Sequence, residues 1–247
     1  MRGVFRRMIH LSNISTVFSG HHVLFNQLNL TVDPGDNIAL IGPSGCGKST
    51  LLRYLLGVLS PDKGRVFVDG VALDQRDQCQ LNQMRLSMGM LFQSAALFDS
   101  FTVEENIAFP LIENKGASLN SARKKVNQVL DMVDLGGYNL KMPYQLSGGQ
   151  KKRVGLARAI VTDPTYLLFD EPTAGLDPLT TTTIEDVIIR LSSALNATTV
   201  IVSHTPSTIL RTAKKIYMIH NNALLDFETP DTIETTDTTI IRNFMKG

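Results

Sequence analysis

The run GPSGCGKST at Gly42–Thr50 places three glycines, a lysine and two hydroxyls at a spacing suited to holding phosphate. The apolar run Asn37–Ile41 before it reads as a buried strand, and Ser49–Leu56 after it as an apolar-faced helix. On such a strand-to-helix turn, Gly42, Gly45 and Gly47 let consecutive N–H groups curl around phosphate oxygens, and the helix adds its unpaired amides and positive end. Lys48 is expected to reach the β- and γ-phosphates and the Ser49 hydroxyl to ligate magnesium. Pro43, Ser44 and Thr50 complete the loop, and Cys46 contributes its backbone rather than its thiol. The competing reading, a glycine-rich turn with a solvated lysine, does not account for the strand and helix on either side.

A second acidic element follows at Thr165–Glu171 (TYLLFDE). Its apolar residues Tyr166–Phe169 suit a strand buried on both faces, with two carboxylates at the C-terminal edge, where ligands collect in open α/β sheets. Successive strand residues point opposite ways, so the two acids are expected to differ in role. Asp170 would hold magnesium and Glu171 would orient or deprotonate the attacking water, unless the pair only caps the following turn.

A third element, LSGGQ at Leu146–Gln150, precedes the helical stretch Lys151–Val161. The Ser147 hydroxyl, the Gly148 and Gly149 amides and the helix N-terminus make another anion site. A plain helix start is the alternative.

With these motifs in hand, the chain resembles the nucleotide-binding domain of an ABC transporter over nearly its whole length. The resemblance assigns Gly42–Thr50 to Walker A, Thr165–Glu171 to Walker B and Leu146–Gln150 to the signature. Gln93, in LFQS, stands at the Q-loop, Ala174–Asp177 (AGLD) at the D-loop and His204 at the switch histidine. Phe18 falls where the family stacks a ring on adenine, although an aromatic in a strand is more commonly core. Asp177 has a structural role open to it as well, because Asp before Pro178 is a strong helix start. One departure is Thr205 after the histidine, where the family commonly has Asp, which puts the local hydrogen bonding in question. The resemblance implies ATP and Mg²⁺ as ligands, with Ser49, Gln93 and Asp170 toward the metal and Glu171, Gln93 and His204 toward the reaction. It also implies that Ser147, Gly148, Gly149 and Gln150 complete the pocket of a second copy. One phosphate loop and one signature per chain then mean a head-to-tail pair sandwiching two ATP molecules.

Composition fits one substantial core. The chain has 247 residues, 43% hydrophobic and 19% charged, and its net charge of +1 gives no global field toward nucleic acid. Cys46 and Cys79 form neither a metal spacing nor a disulfide framework, which suits a reducing compartment. No apolar run approaches the ~20 residues of a membrane span, so the expectation is a cytoplasmic protein that reaches the inner membrane through a partner. Met1–His10 lacks a signal-peptide core, and Arg2, Arg6 and Arg7 make either a basic tail near headgroups or residues ahead of the native start.

The expected fold is α/β: a P-loop ABC fold with a mostly parallel core sheet, an antiparallel β subdomain and an inserted α-helical subdomain. The first strands span Met8 to about Thr31, with a hairpin from Gly64–Asp69. The single ATPase domain, 1–247, would carry the helical subdomain at about 94–160, where Ala122, Val126, Val129, Leu130 and Val133 share one helix face. Strands return at Tyr166, Thr198 and Ile216; Thr229–Thr239 reads as partly exposed and Ile240–Met245 as a short docked helix.

The segments Met90–Leu111 and Ala174–Leu191 resemble ATPases of Mla-type lipid transport systems, whose partners are a permease and an MCE-class protein. Leu97, Phe98, Phe101 and Phe109 offer either a groove for a permease helix or core for the helical subdomain. The signature ends in Gln150 where many Mla-type members have Met. The ATPase of a polar amino-acid or other solute importer shares the same core motifs. Non-transport ABC ATPases carry paired cassettes or long coiled-coil insertions, and this chain has neither.

Overall fold

The computed structural model describes residues 7–18, 22–225, 228–233 and 239–246. β1 (Ile9–Phe18), β2 (His22–Val32) and β3 (Asn37–Ile41) lead into α1 (Lys48–Leu55). β4 (Lys63–Val68), the short β5 (Val71–Ala72) and α2 (Gln78–Arg85) follow. β6 (Met88–Leu91) precedes α3 (Val103–Lys115), α4 (Leu119–Met132) and α5 (Gly148–Ile160). Next come β7 (Tyr166–Asp170), α6 (Pro178–Leu195) and β8 (Thr198–Val202), then α7 (Pro206–Thr212), β9 (Lys215–His220), β10 (Ala223–Leu224) and α8 (Thr239–Lys246).

Two compact units result. One comprises residues 1–84 and 200–247, the other 85–199, and β8 carries the chain back from the second to the first.

In the first unit, β2-β1-β4-β5 form an antiparallel sheet in which Ile9 pairs with Val32 on one side and Val68 on the other. The strands at the start are longer than the short ones expected from sequence, because bulges near Asn13 and Gln27, both left-handed, let one bent strand continue where a flat one would stop. Gly64 sits where a Cβ would lie 2.4 Å from the Asn13 carbonyl, so the bulge requires glycine opposite it. β3 pairs in parallel with β9, Ile38 with Lys215 through Ile41 with Met218. Ala39 and Ile41 join Ile209, Ile216, Met218 and Ile241 in one buried cluster, against which Phe244 of α8 also packs. The docked C-terminal helix is therefore present, held by an Ile241 side chain that is fully buried. The intervening 234–238 lie outside the described residues.

In the second unit, β6 and β7 run parallel, Met88 beside Tyr166 through Leu91 beside Phe169. α5 lies so close to β6 that a Cβ on Gly89 would come within 2.3 Å of the Ala159 carbonyl. The helical face expected on α4 is buried as a set: Ala122, Val126, Val129 and Leu130, with Val133 just past its end. Each of the larger ones contributes up to ~1.5–3 kcal/mol by leaving water. α3 starts with a full capping box, Thr102 with Glu105.

Candidate functional site

The phosphate loop forms as the sequence predicts. β3 ends at Ile41 and α1 opens at Lys48, with left-handed glycines at both ends of the turn. Gly42 has φ +147°, and a Cβ there would meet the Ile219 carbonyl at 2.6 Å; Gly47, the cap residue, has φ +102° and lies on the Phe25 ring, 2.4 Å from where a Cβ would stand. Phe25 in turn meets Tyr54 edge-on, and Tyr54 is fixed by a 2.7 Å hydrogen bond with Thr16, so the loop rests on a packed aromatic floor. Lys48, 9% exposed, turns its ammonium into the loop and donates to the Gly42 carbonyl at 2.8 Å and the Pro43 carbonyl at 3.0 Å. Burial pushes the Cys46 thiol up, against the pull of the Lys48 charge.

His204, the residue expected to act as the switch, is exposed immediately after β8 in the same unit. Buried Ser203 accepts from the Thr205 amide at 3.1 Å, and Thr205 occupies the cap of α7 without a side-chain cap bond. Phe18 ends β1, and its side chain lies outside the described residues.

The remaining candidates belong to the second unit. β7 ends on Asp170, and Glu171 follows with φ +48° and only 9% exposure. A left-handed non-glycine residue at this point is a costly conformation that neighbouring bonds must hold. The turn beyond is closed by backbone, Ala174 N–H to the Glu171 carbonyl at 3.3 Å. Gln93 is exposed two residues beyond β6, followed by two left-handed alanines, Ala95 at φ +61° and Ala96 at φ +47°.

Ser147 caps α5 in a reciprocal box: its hydroxyl accepts from the Gln150 amide at 3.3 Å, and the Gln150 side chain accepts from the Ser147 amide at 2.9 Å. The helix start that the sequence offers is thus present, capped by its own Ser147 and Gln150. Asp177 accepts from the Thr180 amide at 3.0 Å with Pro178 opening α6, and its carboxyl is held below the usual range first by Thr180's side chain and then by that amide. The structural role of Asp177 is therefore filled. Signature and AGLD turn also adjoin: a Cβ on Gly148 would stand 3.5 Å from the Leu176 side chain, and one on Gly149 would be 2.3 Å from the Thr180 methyl.

Two residues invisible as functional in the sequence organise this unit. Lys152 donates to the carbonyls of both Gln93 and Glu171, although in sequence it is one of several basic residues on a helix. Asn106, fully buried on α3, accepts from the Phe98 amide at 2.8 Å and donates to the Phe98, Phe101 and Thr102 carbonyls at 3.0–3.1 Å. A buried Asn one helical turn after a cap is the only signal it offers. Asn106→Leu keeps the branched shape but leaves the Phe98 N–H without its acceptor and the Phe101 carbonyl without its donor, so a loss of about 2–4 kcal/mol is expected in equilibrium denaturation.

The model of the ABC transporter family matches residues 25–174. The chain belongs to the ABC transporter family. An ABC cassette binds and hydrolyses ATP, and this chain is such an ATPase. It is 37% identical over 98% of its length to the intermembrane phospholipid transport system ATP-binding protein MlaF of Haemophilus influenzae, covering 91% of that protein. It is 36% identical to the Escherichia coli K12 MlaF over 92% of this chain and 85% of that one. The probable ribonucleotide transport ATP-binding protein mkl of Mycobacterium tuberculosis is 36% identical over 92% of the chain, which spans 64% of mkl. Among solved structures, a dimeric ATP-binding cassette, MJ0796, bound to ADP and Pi superposes with TM-score 0.81 at 29% identity, over 90% of this chain and 98% of that one. The cassette cbiO1 of Clostridium perfringens, part of the cbiONQ transporter complex, superposes with TM-score 0.84 at 26% identity, over 96% and 94%. The P-loop ABC fold expected from sequence is thereby established. Among the described residues no helix is long and apolar enough to cross a membrane.

Proposed function

We propose that this ATPase energises a permease of an Mla-type system that moves phospholipid between the inner and outer membranes. The observation that carries the reading is the 37% identity, over nearly the whole chain, to a relative named for intermembrane phospholipid transport. Its place is the cytoplasmic face of the inner membrane, beside the permease and an MCE-type lipid-binding protein.

Two copies act head to tail. In each, the Gly42–Thr50 loop and Lys48 take the phosphates, Phe18 meets the adenine, and the partner copy's signature closes on the γ-phosphate. Positioning and charge stabilisation do most of the work in such a transfer. Glu171 takes the proton of the attacking water, Gln93 orients it, His204 senses the γ-phosphate and Asp177 steadies the contact between copies. The side chains of Ser49, Gln93 and Asp170 are hard oxygen donors, few in number, which suits Mg²⁺ held partly by phosphates and water. That ion supplies countercharge to the γ-phosphoryl group. Hydrolysis removes the group that bridges the copies, the pair opens, and the Gln93 segment passes the change to the permease.

The permease seat is the ring cluster beyond Gln93. Phe98 lies 5.1 Å from Phe101 and 4.8 Å from Phe109 between ring centroids, remains 41% exposed, and is braced by Asn106. A half-exposed aromatic set on a buried polar brace fits a helix-in-groove contact better than a closed core. Phe98→Asp buries an unpaired charge in that contact, at a cost of several kcal/mol, and should release the permease while ATP binding by the isolated variant is kept.

The relative named for ribonucleotide transport favours a second reading, a polar-solute importer. Isolation of the tagged chain from membranes separates the two. Recovery of a permease, an MCE-type protein and phospholipid is expected; a soluble solute-binding protein without lipid would establish the importer instead.

A further inference from the structure

We propose that Lys152 is a positioning residue that ties the Gln93 loop to Glu171 through their backbone carbonyls, so that displacement of one displaces the other. It rests on the roles proposed above for Gln93 and Glu171.

Lys152 lies in the first turns of α5 and is 5% exposed. Its ammonium donates to the Gln93 carbonyl at 2.6 Å and to the Glu171 carbonyl at 3.0 Å. Burial alone draws the ammonium's pKa down, opposed by the charges of Glu171 and then Asp170, so a buried cation stands beside both Walker B acids. A buried Lys is an expensive structural brace, because the same packing would be met by Met without desolvating a charge. What Met cannot do is bond two carbonyls from two different loops at once.

Both loops need such a hold. Glu171 is left-handed, and so are Ala95 and Ala96 after Gln93. The same face of α5 continues the grip: Gly155 leaves room for Leu91 and Ala95, and Arg158 donates to the Ala95 carbonyl at 2.6 Å and the Ala96 carbonyl at 2.8 Å. Arg158 therefore fixes the far end of the Gln93 segment, and Lys152 fixes its near end to the residue that handles water. Because α5 is also the helix capped by Ser147, one rigid element carries the signature, the Gln93 loop and the Glu171 backbone. A shift of about 1 Å in a reacting group costs on the order of 10²-fold in rate without weakening substrate binding.

The test compares the whole chain with Lys152→Met, Lys152→Arg, Gln93→Ala, Lys152→Met/Gln93→Ala and Glu171→Gln, measuring kcat, KM, equilibrium ATP affinity and melting temperature. Lys152→Met is expected to lower kcat about 10–10²-fold with ATP affinity within about threefold of the parent. Lys152→Arg, which can still donate to both carbonyls, should recover most of that loss. In the Gln93→Ala background the Lys152→Met loss should shrink, as expected for coupled residues. Parent-level kcat in Lys152→Met, an equal defect in Lys152→Arg, a fall in ATP affinity matching the fall in kcat, or fully multiplicative losses with Gln93→Ala would each overturn the tie. Parent-level turnover in Glu171→Gln would instead remove the role given to Glu171, a result separable from any outcome at Lys152.

Discussion

Glu171→Gln is expected to cut ATP turnover by about 10²–10⁴-fold with ATP binding retained. The amide preserves the shape and the carbonyl-side contact to Lys152, which is made by the backbone and not by the carboxylate. Only the base is lost. The fall corresponds to ~3–5 kcal/mol of transition-state stabilisation, within what one positioned proton acceptor contributes. With hydrolysis blocked and both phosphate-binding surfaces intact, the ATP-bound pair should accumulate, visible as a dimer in size-exclusion chromatography with ATP. Parent-level turnover of the variant in the assembled transporter would take Glu171 out of the role.

The second large effect separates holding the nucleotide from joining the two copies. Lys48 is a buried cation held inside the loop by the Gly42 and Pro43 carbonyls, and Lys48→Ala removes it, so nucleotide affinity should fall on the order of 10²-fold. Ser147→Arg places a long cation at the cap of α5, where the Ser147 hydroxyl accepts from Gln150. It should leave ATP affinity of the separate chain unchanged and abolish the ATP-bound pair. Equilibrium titration with a fluorescent nucleotide checks both. Lost affinity in the Ser147→Arg monomer would mean that the signature serves its own chain's nucleotide.

Much of this was readable from residue type and spacing, for physical reasons. Gly42 and Gly47 announce a turn because no other residue fits beside the Ile219 carbonyl or the Phe25 ring, and Asp177–Pro178 announces a helix start because cap and fixed φ coincide. Tyr166–Phe169 announces a strand because a continuous apolar run suits burial on both faces. What stayed hidden depends on partners distant in sequence. Lys152 bonds a carbonyl 59 residues away, and carbonyls carry no side-chain signature. The bulges that lengthen β1 and β2 rest on left-handed Asn13 and Gln27, whose types do not demand that conformation. The same holds for Ala95 and Ala96, which would be read as ordinary helix formers yet are held left-handed, with Arg158 bound to both carbonyls.

The central claim is that each ATP is handled by the phosphate loop of one copy and the signature of the other. Mixing two inactive variants, Lys48→Ala and Ser147→Arg, measures this directly. Each alone forms only defective sites, but a mixed pair joins the intact loop of the Ser147→Arg chain to the intact signature of the Lys48→Ala chain. With random pairing, half of the dimers are mixed and each has one competent site, so turnover should rise to at most about a quarter of the parent rate. A mixture no faster than the two variants measured separately would contradict the shared site.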